Sequence, residues 1–401
     1  MSEAEEAFWS RPGVLPHQEL VRAMGEGIVR ARTPIPAANV QPASIDLRLG
    51  RTAHRLRCSF LPDRESVQAK AKEYSLDTHD ISKGIILEPG RPYLIPLQER
   101  LDLPPGMRGR TNPKSSTGRV DVFTRVITDR NHRFDEIPAA YSGRLYLEVV
   151  SRTFAVRVTE GMTLNQLRLA VGDTRVDDAQ LVAAHEERAI VVNAGSRKIP
   201  KAQLVIHDGL FLTLDLEGDK KKNDNVVGYR ARRNSRVLDL TRIGAHRVAD
   251  FWDPVYREDD APRLVLEPED FYLLISSEAV RIPPEYASEM SAYAESAGEL
   301  RSHYAGFFDP GFGHDPSSRE KGKRVAEGSR AVLEVRAHDV PFMVEQGQPV
   351  CRLTYEAMRE PPAILYGQDT SSNYQGQQAM LSKHFERDHS APGQLSLLSD
   401  R

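Results

Sequence analysis

A chain of 401 residues, 40% hydrophobic and 28% charged, is long enough for two ordinary domains and has the balance of a water-soluble globular protein. A formal net charge of −3 gives no general attraction for polyanions, so nucleic-acid binding is not expected. No apolar run approaches the ~18 residues that span a bilayer and the N-terminus has no signal-peptide pattern; Cys58 and Cys351 alone cannot build a disulfide framework or an all-thiolate metal site, so no membrane is expected and the cytoplasm is the expected compartment.

Residues 1–14 read as a loose arm. Residues 16–24 predict a short helix with Leu20, Val21 and Met24 on one side and Gly25 as its stop. Residues 43–50 alternate apolar and polar, the pattern of a half-buried strand ended by Gly50. Further short strands are expected at 84–87, 93–96, 143–150 and 164–169, between Pro and Gly turns, which suggests a sandwich or barrel. Residues 177–188 predict a helix capped by Asp177 or Asp178. The strand-rich pattern then resumes from Leu204 to Tyr355. Residues 220–225 read as a solvated turn, and Arg230, Arg232, Arg233 and Arg236 as a solvated or ion-paired face. Beyond Tyr355 the chain ends in a polar tail.

One stretch organises the rest. Residues 331–336 (A-V-L-E-V-R) form an apolar, β-branched run with a carboxylate, Glu334, at its centre. Such a group is costly to bury unless it is hydrogen-bonded, paired or used for chemistry. Residues 145–150 (L-Y-L-E-V-V) repeat the arrangement around Glu148. Glu148 and Glu334 are 186 residues apart, as are Gly161 and Gly347. The pairs Leu87/Leu266 and Pro104/Pro283 are 179 apart. The chain is therefore read as a tandem duplication whose second copy gained about seven residues, most simply within 314–330. Asp46-Leu47 is taken to answer Asp215-Leu216.

Residues 110–119 (R-T-N-P-K-S-S-T-G-R) combine hydroxyls, Gly and flanking cations, which suits an anion cradle but also a plain polar turn. Residues 305–313 (A-G-F-F-D-P-G-F-G) hold a tight-turn signal with small and aromatic residues beside it, either a bare hairpin or a surface for a flat ring. His185-Glu186-Glu187 matches half of a zinc-deaminase signature, but the P-C-x-x-C half is missing, so it reads as solvated surface and no metal ligands are assigned.

Taken together, these residues resemble a family. Residues 41–50 (Q-P-A-S-I-D-L-R-L-G) look like the opening strand of the dCTP deaminases of the dUTPase-like superfamily. Residues 114–119 resemble their phosphate motif R-S-S-x-A-R, and 305–312 their base-recognition hairpin A-x-x-x-D-P-G-W/F. Residues 332–334 resemble their catalytic-glutamate strand, and 374–377 their C-terminal Y-Q-G-Q. The whole most resembles the long, internally duplicated proteobacterial type.

The resemblance implies an all-β fold with a few short helices, as two tandem dUTPase-like (β-clip, distorted jelly-roll) domains. Residues 1–195 and 196–360 would be the domains and 361–401 a lid or tail. It implies hydrolytic deamination of dCTP to dUTP and ammonia, with Glu334 as proton shuttle and Ser115 and Arg119 positioning water. Lys114, Ser116, Ala305, Asp309, Phe312, Tyr374, Gln375 and Gln377 would bind substrate, and Glu148 would be a candidate second site. Magnesium would come with the triphosphate, without zinc. The expected partners are dCTP, dTTP as a candidate regulator, and further copies of the chain in a homo-oligomer.

Each copy departs from the family pattern in one place. Residues 137–143 lack the hairpin Asp, and 294–301 carry acids where cations belong. The expectation is one composite site, with the phosphate motif from the first copy and the hairpin and Glu334 from the second. The rival readings are a dUTPase or bifunctional enzyme, though the R-G-x-x-G-F-G-S-T-G lid is absent, and a catalytically silent nucleotide binder.

Overall fold

The computed structural model describes residues 7–193, 196–218, 225–257, 262–292, 300–302, 306–314, 328–337, 339–367 and 380–386. It is mostly β, with short helices at His17–Gly25, Val67–Tyr74, Ser115–Gly118 and Asp178–Arg188. In the first copy, one sheet orders Gly13–Val14, Thr163–Val171, Met107–Pro113 and Glu136–Ile137, with Ile45–Arg48 also on Thr163–Val171. A second sheet runs Ser75–Asp80, Thr52–Leu56, Pro92–Asp102, Ser142–Ser151 and Val122–Ile127. Leu145, Leu147 and Val149 of the inner strand Ser142–Ser151 are fully buried, as an apolar run between two neighbouring strands requires.

The second copy repeats this plan. Tyr286–Ala292 lies 179 residues beyond Met107–Pro113, and Pro349–Ala357 lies 186 beyond Thr163–Val171, end to end. Glu148 faces Leu94 and Glu334 faces Leu273, so the two glutamates hold one place in two copies of one sheet. The matching hairpin strands are 171 residues apart, so the second copy is eight residues shorter before Gly306–Phe308 and fifteen longer between it and Ser329–Ala337; the gain falls where expected, but seven is only the net figure.

The echo of Asp46 in Asp215 is wrong. Asp46 pairs with Gln166, and the matching partner, Arg352, faces Phe211. Asp215 instead matches Gly50. Its N–H donates to Ile275 O at 3.0 Å, as that of Gly50 donates to Pro96 O at 2.8 Å.

Several local expectations are refined. Ile45–Arg48 is buried on both faces rather than half-buried, because its polar side chains find internal partners: Arg48 meets Glu99 at 2.6 Å and Asp46 meets Lys114. The strand expected at 93–96 extends over Pro92–Asp102. Helix Asp178–Arg188 has Asp177 as its cap, in a capping box with Gln180. Its Leu181 and Ala184 pack into the second core, and Val191–Val192 pairs with Phe271–Val280, so the second copy begins well before residue 196. His185 is not solvated: it is buried on that inner face, with Nε2 2.8 Å from Ile199 O. Arg232 and Arg233 pair with Asp253 and Asp270, as an ion-paired face predicts.

The copies share more than a linker. Leu238–Asp239 adds in parallel to Val156–Val158, and Trp252, Phe271 and Leu273 join the first copy's core. The tail is not polar throughout: Met380, Leu381 and Phe385 are buried, and the Phe385 ring meets Phe251 edge-on at 5.6 Å. No helix among the described residues is long and apolar enough to cross a membrane.

Candidate active site

One cleft between the copies gathers most of the residues singled out above. Its first wall is the turn after strand Met107–Pro113, where Lys114 is the cap of helix Ser115–Gly118 and Arg119 closes it. Lys114 N–H donates to Leu164 O at 3.0 Å, which ties the turn to the neighbouring strand. Its ammonium donates to Thr163 Oγ1 at 3.0 Å and to the buried carboxylate of Asp46. Burial pushes the Asp46 carboxyl up, and the charges of Lys114 and then Lys383 pull against it. Ser382 Oγ donates to Ser116 O at 2.9 Å, so the segment 380–386 braces the turn from behind.

The second wall comes from the other copy. Phe307, Phe308, Asp309 and Phe312 of the hairpin line it, with Arg330, Ala331, Val332 and Glu334 of strand Ser329–Ala337. Phe308 and Phe312 meet edge to face at 5.0 Å, leaving an apolar floor for a flat ring. Glu334 is 4% exposed, and burial raises its carboxyl to about 8 while the positive charge of Arg119 pulls it down. A carboxyl that titrates near neutrality can both take and give a proton.

Lys114, Ser115, Ser116, Arg119, Asp309, Phe312 and Glu334 thus line one cleft, and both walls belong to a single chain. Ala305, Tyr374, Gln375 and Gln377 lie outside the described residues. Glu148 is elsewhere. Its carboxylate is buried, and Oε1 accepts from Arg125 Nε at 3.1 Å and Nη2 at 2.5 Å. Glu148 is therefore not part of this cleft, and its Oε1 is held by Arg125. Glu148→Gln is expected to leave kcat within about twofold and to cost roughly 1–3 kcal/mol of stability through the weakened buried pair. Steady-state assays and thermal unfolding check both.

The cleft also holds residues that sequence reasoning passed over: Gln41, Gln166, Met290, Arg330 and Tyr366. Gln166 is one of four polar residues on the buried strand Thr163–Val171, so its sequence signal is weaker than that of Glu334. Arg330 and Tyr366 carried no such signal.

A mostly β chain in which a basic, hydroxyl-bearing turn faces an aromatic hairpin and a buried glutamate has the features of a nucleotide-processing enzyme of the dUTPase-like class. The family models for the N-terminal and C-terminal domains of 2′-deoxycytidine 5′-triphosphate deaminase match residues 11–173 and 177–385. The crystal structure of that deaminase from Agrobacterium tumefaciens is 41% identical and superposes with a TM-score of 0.79, covering 88% of this chain and 99% of the other. The dCTP deaminase of Natronomonas pharaonis is 28% identical over 159 residues, 38% of this chain and 78% of its own. The dUMP-forming dCTP deaminase of Methanothermobacter thermautotrophicus is 26% identical over 139 residues, 34% of this chain and 67% of its own. The chain belongs to the dCTP deaminase family, in its long, internally duplicated form.

Proposed function

We propose that the chain hydrolyses dCTP to dUTP and ammonia in the cleft between its two copies. The observation that carries the reading is Glu334: a buried carboxyl held near neutrality, in the same cleft as the Lys114–Arg119 turn.

Water adds to C4 of the cytosine and loses a proton to ionised Glu334. The carboxyl returns it to ring N3, then carries the proton of the new C4 hydroxyl to the amino group, and the tetrahedral centre collapses with cleavage of the C4–N bond. Ammonia leaves and the C4 oxygen becomes a carbonyl, so one water is consumed for each ammonia released. Ser115 and Arg119 hold the water and stabilise the ionised carboxylate. Phe308 and Phe312 carry the base, Asp309 meets the sugar, and Lys114, Ser116 and Arg119 take phosphate oxygens.

Magnesium comes with the triphosphate, held by phosphate oxygens and water. The proton shuttle is assigned to Glu334 rather than to a zinc-bound water. Cys58 is exposed, whereas Cys351 is buried with its thiol pushed up by burial, which disfavours the thiolate that zinc requires.

The test is to incubate the protein with dCTP and magnesium, with and without a zinc chelator, and identify every product. Ammonia with dUTP, insensitive to the chelator, supports the proposal. The name of the Methanothermobacter relative favours one alternative, deamination followed by release of pyrophosphate to give dUMP. Pyrophosphate among the products would establish it. Tight dCTP binding with no product would mean a silent binder. Lys114→Ala is expected to raise KM for dCTP roughly 10–100-fold, the loss of one charge-assisted phosphate contact. dCMP, lacking the outer phosphates, should be affected far less.

A further inference from the structure

Arg168 is a charged residue on strand Thr163–Val171, two positions beyond Gln166, and only 2% of it is exposed. Its guanidinium crosses into the second copy. Nη2 donates to Asp309 Oδ1 at 3.1 Å, and Nη1 to Glu356 Oε2 at 3.1 Å and Ser288 O at 3.2 Å. The guanidinium carbon sits 3.9 Å from the centre of the Phe307 ring. The other oxygen of Asp309, Oδ2, accepts from Ser44 Oγ at 3.2 Å. Both groups that fix this carboxylate therefore belong to the first copy, while the carboxylate belongs to the second.

The duplication offers an internal comparison. The residue 186 positions beyond Arg168 on the matching strand is Thr354. Strand pairing sets Glu136 opposite Arg110 and Phe307 opposite Glu289, so Pro138 stands where Asp309 stands. The copy with Pro138 in place of Asp309 thus has Thr354 in place of Arg168.

We propose that Arg168 is a positioning residue that aims Asp309 at the sugar hydroxyl of the nucleotide. The proposal rests on the reading of the cleft as a dCTP site and adds to it how the sugar subsite is built. A carboxylate held through one oxygen by a guanidinium N–H, itself fixed by Glu356 and Ser288, and through the other by a hydroxyl is restrained from rotating, and each oxygen keeps a lone pair for an incoming O–H. The sugar subsite thus exists only when the two copies are docked.

The test is calorimetric binding to the full chain with magnesium, in a Glu334→Gln background that prevents turnover. The ligands are dCTP and 2′,3′-dideoxycytidine triphosphate, which differ by the 3′-hydroxyl. Arg168→Met is expected to weaken dCTP at least tenfold and the dideoxy analogue less than twofold. Ser44→Ala removes one neutral partner without stranding a buried charge; it should give the same contrast at lower amplitude, and it serves if Arg168→Met does not fold. Equal losses for both nucleotides would reduce Arg168 to a general structural tie, and no loss for either, or no dCTP binding at all, would also overturn the proposal. Absence of ammonia release by the wild-type protein would instead defeat the functional reading, while the contrast between the two ligands could still be read.

Discussion

Glu334→Gln is expected to lower kcat by roughly 10³-fold or more while leaving dCTP affinity within a few-fold. General acid–base catalysis is worth about 10²–10⁴, and here one carboxyl serves both proton removal and proton delivery, so the loss belongs at the upper end. Glutamine has nearly the same shape, so the apolar floor and the phosphate wall stay in place. Stability should move the other way. A carboxyl raised from 4.5 to about 8 by burial opposes folding increasingly as pH climbs through that window, because the unfolded chain ionises first. Below pH 4.5 both states are protonated and the burden is absent; above pH 8 it is complete, at most about 5 kcal/mol. The variant should therefore unfold at a higher temperature than the wild type at pH 9, and not at pH 4. The amide's own unmet hydrogen bonds, costing ~1–3 kcal/mol, reduce the gain. Full activity in Glu334→Gln with none in Glu148→Gln would reverse the assignment.

The two glutamates also show how far the sequence could be read. A carboxylate inside an apolar strand is visible without coordinates, and its recurrence at a fixed separation exposed the duplication; the composite site followed from the family resemblance, through the one departure in each copy. What the sequence did not reveal is which of the two was paired. Arg125 stands directly opposite Glu148 on the neighbouring strand, a register that no sequence spacing reveals. Asp215 misled for a related reason. A two-residue match outweighed the strand register, although register decides which side chains share a face. The burial of His185 was within reach, because Leu181, Ala184 and His185 follow helical spacing on one face; the acidic neighbours Glu186 and Glu187 drew attention away from it. Arg168 sits among the polar residues Thr163, Asn165 and Gln166 and so stood out less than Glu334, and its partners come from the other copy, which only docking brings together.

Arg119→Gln should be the second most damaging change, lowering kcat/KM by about 10²–10³-fold at neutral pH. Two effects combine. One phosphate-side cation is lost, and burial of Glu334 is no longer opposed by the positive charge beside it. With the carboxyl near 8, about one tenth of free wild-type enzyme carries the ionised base at pH 7. Below that point log kcat/KM should climb with unit slope as pH rises, and flatten above it. Removing Arg119 raises the carboxyl further, so the climb must continue to higher pH before flattening. A loss due only to phosphate contacts would lower the whole profile without moving its bend. Arg119→Lys separates the two effects: it restores charge but not the planar fork, so the bend should return toward 8 while part of the rate loss persists. Profiles from pH 6 to 10 decide the matter, and a bend that stays put in Arg119→Gln would detach Arg119 from the proton shuttle and leave it as a phosphate ligand.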